Sequence, residues 1–185
     1  MMDLQDFNGE MLYFDQPEPQ RVSELLMAAS QHYGQGDAEG FLLEAFAIAP
    51  SNLTVLVGLY RFYYYQHRYA DALNIAHIAM ATVAPQIDFP STWHELDMNA
   101  IGLGVLRSMG LVRFYLLALK GAGYLNLRLS NFEEGVRMLR KVRELDTADR
   151  LGAKLLLDVL AEHTADVIAF VDNKQADRKQ TEVRL

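Results

Sequence analysis

The chain has 185 residues, 51% of them hydrophobic and 22% charged, with a net charge of −7 and no cysteine. That is enough chain for one domain with a real core, and it excludes disulfides, thiolate metal sites and a cysteine nucleophile. Residues 1–90 hold eleven acids against three bases and residues 91–185 thirteen against fourteen, a poor balance for nucleic acid, which is held by neutralising phosphates with Lys and Arg.

Residues 1–19 form an acidic N-terminal segment. "MMDLQDFNGEMLYFDQ" is acidic where a signal peptide would be basic, and no apolar run approaches the roughly 18 residues that span a bilayer. A cytoplasmic protein with no membrane partner is expected.

From residue 20 to 172 the chain reads as a single helical domain, because Gly and Pro separate apolar-periodic segments and no alternating strand pattern appears. The first pair is "RVSELLMAASQHY", the turn "GQGD" and "AEGFLLEAFAIAP". The second is "NLTVLVGLYRFYYYQ", the turn "HRY" and "ADALNIAHIAMATVAP". The third is "LLALKGAGYLNLRL", the turn "SNF" and "EEGVRMLRKVRELD". His32, Tyr63 and Asn126 align as equivalent positions, and on that register the second helix of the first pair is three residues short. Between the second and third pairs lies an insertion, about 87–115. There Thr92 and Glu95 make a capping box that predicts a helix start, and Gly102, Gly104 and Gly110 interrupt the stretch after it. Thr147 predicts an N-cap for a capping helix at about 148–162, with Leu151, Leu155, Leu156, Val159 and Leu160 as its stripe. "TADVIAFV" predicts a short partner helix, and 173–185 is a polar tail. In "VRMLRKVRELD", Glu133 with Arg137 and Arg140 with Glu144 have helical ion-pair spacing, so these bases predict a solvated face.

Leu56, Leu59, Tyr63, Tyr69, Ala72, Leu73, Ala79 and Pro85 follow the large, small and aromatic order of a helix–turn–helix of about 34 residues, as do Leu119, Gly123, Phe132, Val142 and Leu145. In these positions the chain resembles tetratricopeptide-repeat proteins. The resemblance implies an all-α, right-handed superhelix of about three repeats, at about 22–51, 53–86 and 116–149, with the insertion and the C-terminal capping helix. On the second repeat Leu56, Leu59, Tyr60 and Tyr63 form a core stripe. The resemblance places the neighbouring face of each first helix in a concave, protein-binding groove: Ser23, Leu26, Ser30 and Tyr33, then Thr54, Val57, Arg61, Tyr64 and Tyr65, then Leu117, Lys120, Tyr124, Leu127 and Arg128. Tyrosine and arginine suit such a role, because each combines a large contact area with directional polar groups. Arg61, Lys120 and Arg128 point to an acidic client segment.

Catalytic patterns are missing. None of the five histidines, His32, His67, His77, His94 and His163, has a partner at i,i+4. "KGAGYLN" has Asn126 where a dinucleotide fingerprint needs its third glycine, and no strand precedes it. The expectation is a non-catalytic interaction module without metal or cofactor.

Three runs, "LYRFYYYQHR", "VRFYLLALKGAGYLNLRL" and "DRLGAKLLLDVL", resemble small bacterial tetratricopeptide proteins encoded among nitrogen-fixation genes. That resemblance implies an accessory or chaperone-like factor that binds a nitrogenase component or a maturation intermediate. The alternative is a self-assembling scaffold whose aromatic face is a homo-oligomer interface.

Overall fold

The computed structural model describes residues 19–33 and 36–162, which are helical throughout apart from turns. Among these residues the α-helices are α1 (Gln20–Gln31), α2 (Ala38–Ile48), α3 (Leu53–Tyr65), α4 (Tyr69–Val83), α5 (Met98–Arg128) and α6 (Phe132–Leu145). A further run, α7, covers residues 153–162. Two 3-10 turns, Ala84–Ile87 and Trp93–Glu95, connect α4 to α5. From α1 to α6 each helix packs against the next in chain order. The acidic segment through residue 18, the expected helix at "TADVIAFV" and the polar tail at 173–185 lie outside the described residues.

Local chemistry sets the helix ends. The Asn52 side chain accepts a hydrogen bond from the Val55 amide at 3.0 Å and so caps α3. α3 and α5 end in the same turn: His67 and Ser130 are left-handed, with φ of 57° and 65°, and the Arg68 and Asn131 amides reach back to the Tyr63 and Asn126 carbonyls at 2.9 and 2.8 Å. That six-to-one bond closes a helix with an αL residue after its cap.

Burial follows a fixed register. Val22, Leu56, Leu119 and Ala153 are each 0% exposed. The step from Val22 to Leu56 equals that from Leu119 to Ala153, and a longer step joins Leu56 to Leu119. Leu42, Ala76 and Leu139 are buried on the same steps, as are Ala45, Ala79 and Val142. On this register the counterpart of Tyr63 and Asn126 is Ala29, not His32. His32 is instead the C-cap of α1, half-buried, with its ring 5.4 Å from that of Phe41. The first step therefore equals the one from Leu119 to Ala153 and is not a shortened one. α2 begins at Ala38, whose counterpart Ala72 is the fourth residue of α4, so it is the start of α2 that is trimmed relative to α4.

The insertion differs from expectation. No side chain caps the turn at Trp93, and the Thr92 signal produces only the short turn Trp93–Glu95. α5 is capped instead by Asp97, whose carboxylate accepts from the Ala100 amide at 2.7 Å. Residues 98–115 thus form the front of α5, not a separate insertion of uncertain path. Ser108 breaks this helix with φ −161° and ψ 108°, and its hydroxyl accepts from the Leu111 amide at 3.2 Å, recapping the second half. By length and composition α5 could cross a membrane, so an apolar stretch of that length does exist. It bends at Ser108, and Phe114, Tyr115, Leu119, Ala122 and Leu125 are core residues of this fold.

Thr147 caps nothing. Asp149 and Gly152 are left-handed, at φ 47° and 70°, and α7 starts only at residue 153. The Asp146 and Asp149 carboxylates organise that turn by accepting from the Leu151 and Lys154 amides at 2.7 and 3.0 Å. The predicted stripe consequently splits: Leu151 is buried, Leu156 and Leu160 are half-buried, and Leu155 and Val159 are exposed. On α6 Glu144 pairs with Lys141 at 3.0 Å rather than with Arg140, because the Lys141 ammonium also donates to the Leu96 carbonyl at 3.1 Å.

α5 and α6 approach through glycine. A Cβ on Gly135 would lie 2.8 Å from the Gly123 carbonyl oxygen and 2.7 Å from Leu127 Cδ2. Gly102, on the same long helix α5, faces open space. Gly135→Ala should cost about 2 kcal/mol, because overpacking outweighs the gain in helix propensity. Gly102→Ala should stabilise by about 1 kcal/mol. Urea unfolding of both variants measures the contrast.

Candidate protein-binding face

The first helices of successive pairs stand side by side. Leu26 of α1 packs over Gly58 of α3, 3.7 Å from where a Cβ would be. At the equivalent position one pair later, Tyr60 of α3 packs over Gly121 of α5, with its hydroxyl 2.6 Å from that point. One face of this row collects the aromatic residues.

Tyr64 is at the centre. Its ring centroid lies 6.3 Å from Tyr60, 5.5 Å from Tyr65, 6.2 Å from Tyr69 and 6.2 Å from Tyr124. The Arg128 guanidinium sits 4.7 Å from the Tyr69 ring centroid, and its Nη1 donates to the Tyr124 hydroxyl at 3.0 Å. Such cation–π and charge-assisted contacts hold the rings in place. That hydrogen bond also raises the Arg128 pKa. Tyr33 and Tyr65 are the most open of the described tyrosines, 39% and 38% exposed; Tyr33 meets Phe62 edge-on at 5.8 Å.

Next to the rings is an apolar crevice between α3, α4 and α5. Val57, Tyr60 and Arg61 line one side, Ala76 and Ala79 the floor, and Phe114 and Leu117 the other side. Of the residues expected in the groove, Val57, Arg61 and Leu117 therefore meet at the crevice, while Tyr64, Tyr65, Tyr124 and Arg128 meet at the rings. Ser23, Ser30 and Thr54 are exposed and Lys120 is half-buried. Two leucines lie elsewhere. Leu26 fills the gap between α1 and α3, and Leu127 turns toward α6 over Gly135. Phe114 and Tyr69 join the site without having been expected there.

Tyr60 is the residue that helical periodicity assigned to the core. Its hydroxyl is buried and makes no hydrogen bond among the described residues. Burial, then the neighbouring Tyr64 and Tyr124 phenols, raise its pKa, so it stays protonated. The sequence does carry a clue: Gly58 and Gly121 are separated by the same step as Leu56 and Leu119, and each is paired with a large residue of the preceding first helix. Among the described residues no group of three or more His, Asp or Glu converges to hold a metal ion.

The chain is 57% identical over 169 residues to a protein of Azotobacter chroococcum mcd 1 described as an uncharacterized 19.8 kDa protein in the nifW 5′ region; the match covers 91% of this chain and 94% of that one. No family model and no solved structure matches.

An unpartnered buried hydroxyl costs about 1–3 kcal/mol. Tyr60→Phe should therefore raise stability by about 1 kcal/mol, and Gly121→Ala should be less damaging in that background than alone. A thermal double-mutant cycle showing no coupling would contradict this contact.

Proposed function

Because the chain belongs to the same family as that nifW-region protein, we propose that it is an accessory factor of nitrogen fixation that works by binding another protein rather than by catalysis. The observation that carries this reading is the face built from Tyr60, Tyr64, Tyr65, Tyr69 and Tyr124 with Arg128, beside the apolar crevice at Arg61. Buried-edge tyrosines and arginines are the residues that dominate binding energies at protein interfaces. The crevice suits an apolar side chain of the client, and Arg61, Lys120 and Arg128 suit acids flanking it.

The fold reading that goes with this is a right-handed, tetratricopeptide-like stack. Its support is the burial register, whose step from Val22 to Leu56 recurs from Leu119 to Ala153. That step matches the repeat length of about 34 residues, and the longer step from Leu56 to Leu119 interrupts it once. On this reading the first helices line the concave side, and a nitrogenase component or a maturation intermediate is the client, met in the cytoplasm.

Arg61→Glu with Lys120→Glu is the chosen test, because Tyr64 is wedged among four rings and its truncation would disturb the site itself. Wild-type protein should capture a nitrogenase component from anaerobic extract of nitrogen-fixing cells, and the double variant should not. The captured complex should weaken about tenfold between 50 and 300 mM salt. A complex indifferent to ionic strength would remove the bases from the mechanism.

A second reading, self-association, has its own observation. The front of α5 exposes Leu103, Leu106 and Met109 by 54%, 83% and 64%, an apolar strip of the kind found at interfaces. Light scattering should then give a dimer mass or larger that falls to the monomer in Leu106→Glu. A monomeric wild type would dismiss it.

A further inference from the structure

The helices that carry the face are oddly charged for so acidic a protein. α3 and α5 hold no acid at all, while the whole chain is at −7; Arg107 is already paired with Asp88 at 2.8 Å in front of the Ser108 bend, and Arg61, Arg113, Lys120 and Arg128 are the bases of α3 and of the second half of α5. The complementary charge is present on the same chain. Residues 1–18 hold Asp3, Asp6, Glu10, Asp15 and Glu18 and no base. They also carry apolar residues: Leu4, Phe7, Met11 and Phe14 have the i, i+3, i+7, i+10 spacing that a helix would bring to one face, and Asp3, Asp6 and Glu10 have the spacing of its adjacent flank.

From this complementarity we infer that residues 1–18 are an intramolecular occupant of the α3–α5 face and compete there with the client. The inference rests on the proposed reading of that face as a site for acidic, apolar-anchored segments. The anchors enter the crevice and the tyrosine cluster as a helix enters a groove, and the acids lie along Arg61, Lys120 and Arg128.

Reach and concentration both permit it. Leu26 over Gly58 sets α1 beside α3, so the segment leaves Pro19 next to the row of first helices. α3 has 13 residues and is thus about 20 Å long, whereas the segment can span about 60 Å when extended. A segment tethered this closely has an effective concentration on the order of millimolar, enough to fill a site of modest affinity. A client must displace it, and its measured affinity is reduced by the fraction of sites already filled. The segment therefore sets a threshold that only a longer or better matched acidic surface exceeds.

The absence of native cysteine makes a direct test clean. A nitroxide on Asn8→Cys, off both the apolar and the acidic flank, should broaden the amides of Tyr64, Lys120 and Tyr124 in the isotope-labelled full chain by more than twofold in intensity. The effect should vanish in Asp3→Asn/Asp6→Asn/Glu10→Gln/Asp15→Asn, and should be absent when labelled and unlabelled chains are mixed. Broadening elsewhere, none at all, or broadening only across two molecules overturns the inference. A synthetic peptide of residues 1–18 added to the neutralised variant separates the two claims. Binding at least tenfold tighter than to wild type is the expected result. If the peptide binds this face in trans with equal affinity for both proteins, self-occupancy fails and the groove stands. If it binds neither, the reading of the groove fails as well.

Discussion

The close approach of neighbouring helices at glycine is the constraint on which the rest of this structure depends. α5 can meet α6 as closely as it does because Gly123 and Gly135 bring backbone within reach of backbone, and Gly121, with no Cβ, leaves room over α5 for the Tyr60 hydroxyl. Packing this tight cannot be widened locally without losing contacts along the whole seam, because a gap of even about 1 Å forfeits much of the dispersion energy. The spacing between α3 and α5 in turn sets the distance from Tyr64 to Tyr124. A scaffold constraint thereby becomes a property of the aromatic face.

Neither α3 nor α5 carries an acid, so the negative charge lies on other elements, and the Arg107 of α5 finds its partner in Asp88 of the preceding loop. Arg68 shows the contrasting case: it is held by Glu39 and Asp71 at 2.7 and 2.8 Å and stacks on Tyr63 at 4.4 Å, tying α2 to α4 at a partly exposed seam. Exposed pairs of that kind contribute little to stability; what they add is register between neighbouring pairs of helices. Arg61 lines the crevice and Arg128 lies over the Tyr69 ring, each beside the aromatic face.

The connection from α4 to α5 departs from the regular pattern, and it does so without breaking the core. Phe89 packs edge-on against Tyr115 at 5.0 Å and closes over Gly104, while Asp88 pairs with Arg107 at 2.8 Å. The front of α5 is therefore held at its inner side by the loop that precedes it. Its outer side, from Leu103 to Met109, is left to solvent. The bend at Ser108 separates a second half largely buried in the core from a front half that meets it through Ala100, Ile101 and Gly104.

Much of the fold was legible in the sequence. The helices, their turns at His67 and Ser130, and the core positions of α3, α4, α5 and α6 come from apolar periodicity and helix-end chemistry, which act within a few residues. What failed were signals of equal local strength whose outcome depended on neighbours. Thr92 and Thr147 are good caps, yet Asp97 and the left-handed Asp149 and Gly152 decide where α5 and α7 begin. His32 occupied an aromatic-looking position, yet burial assigns its place to Ala29. The sequence by itself determined which angle each residue takes around its own helix. Only the tertiary structure decided what stands at that angle: α6 opposite Leu127, and Gly121 under the hydroxyl of Tyr60. The reason is physical. Periodicity is a property of one helix, whereas contact depends on the distance to the next, and that distance is set by small residues far apart in the chain.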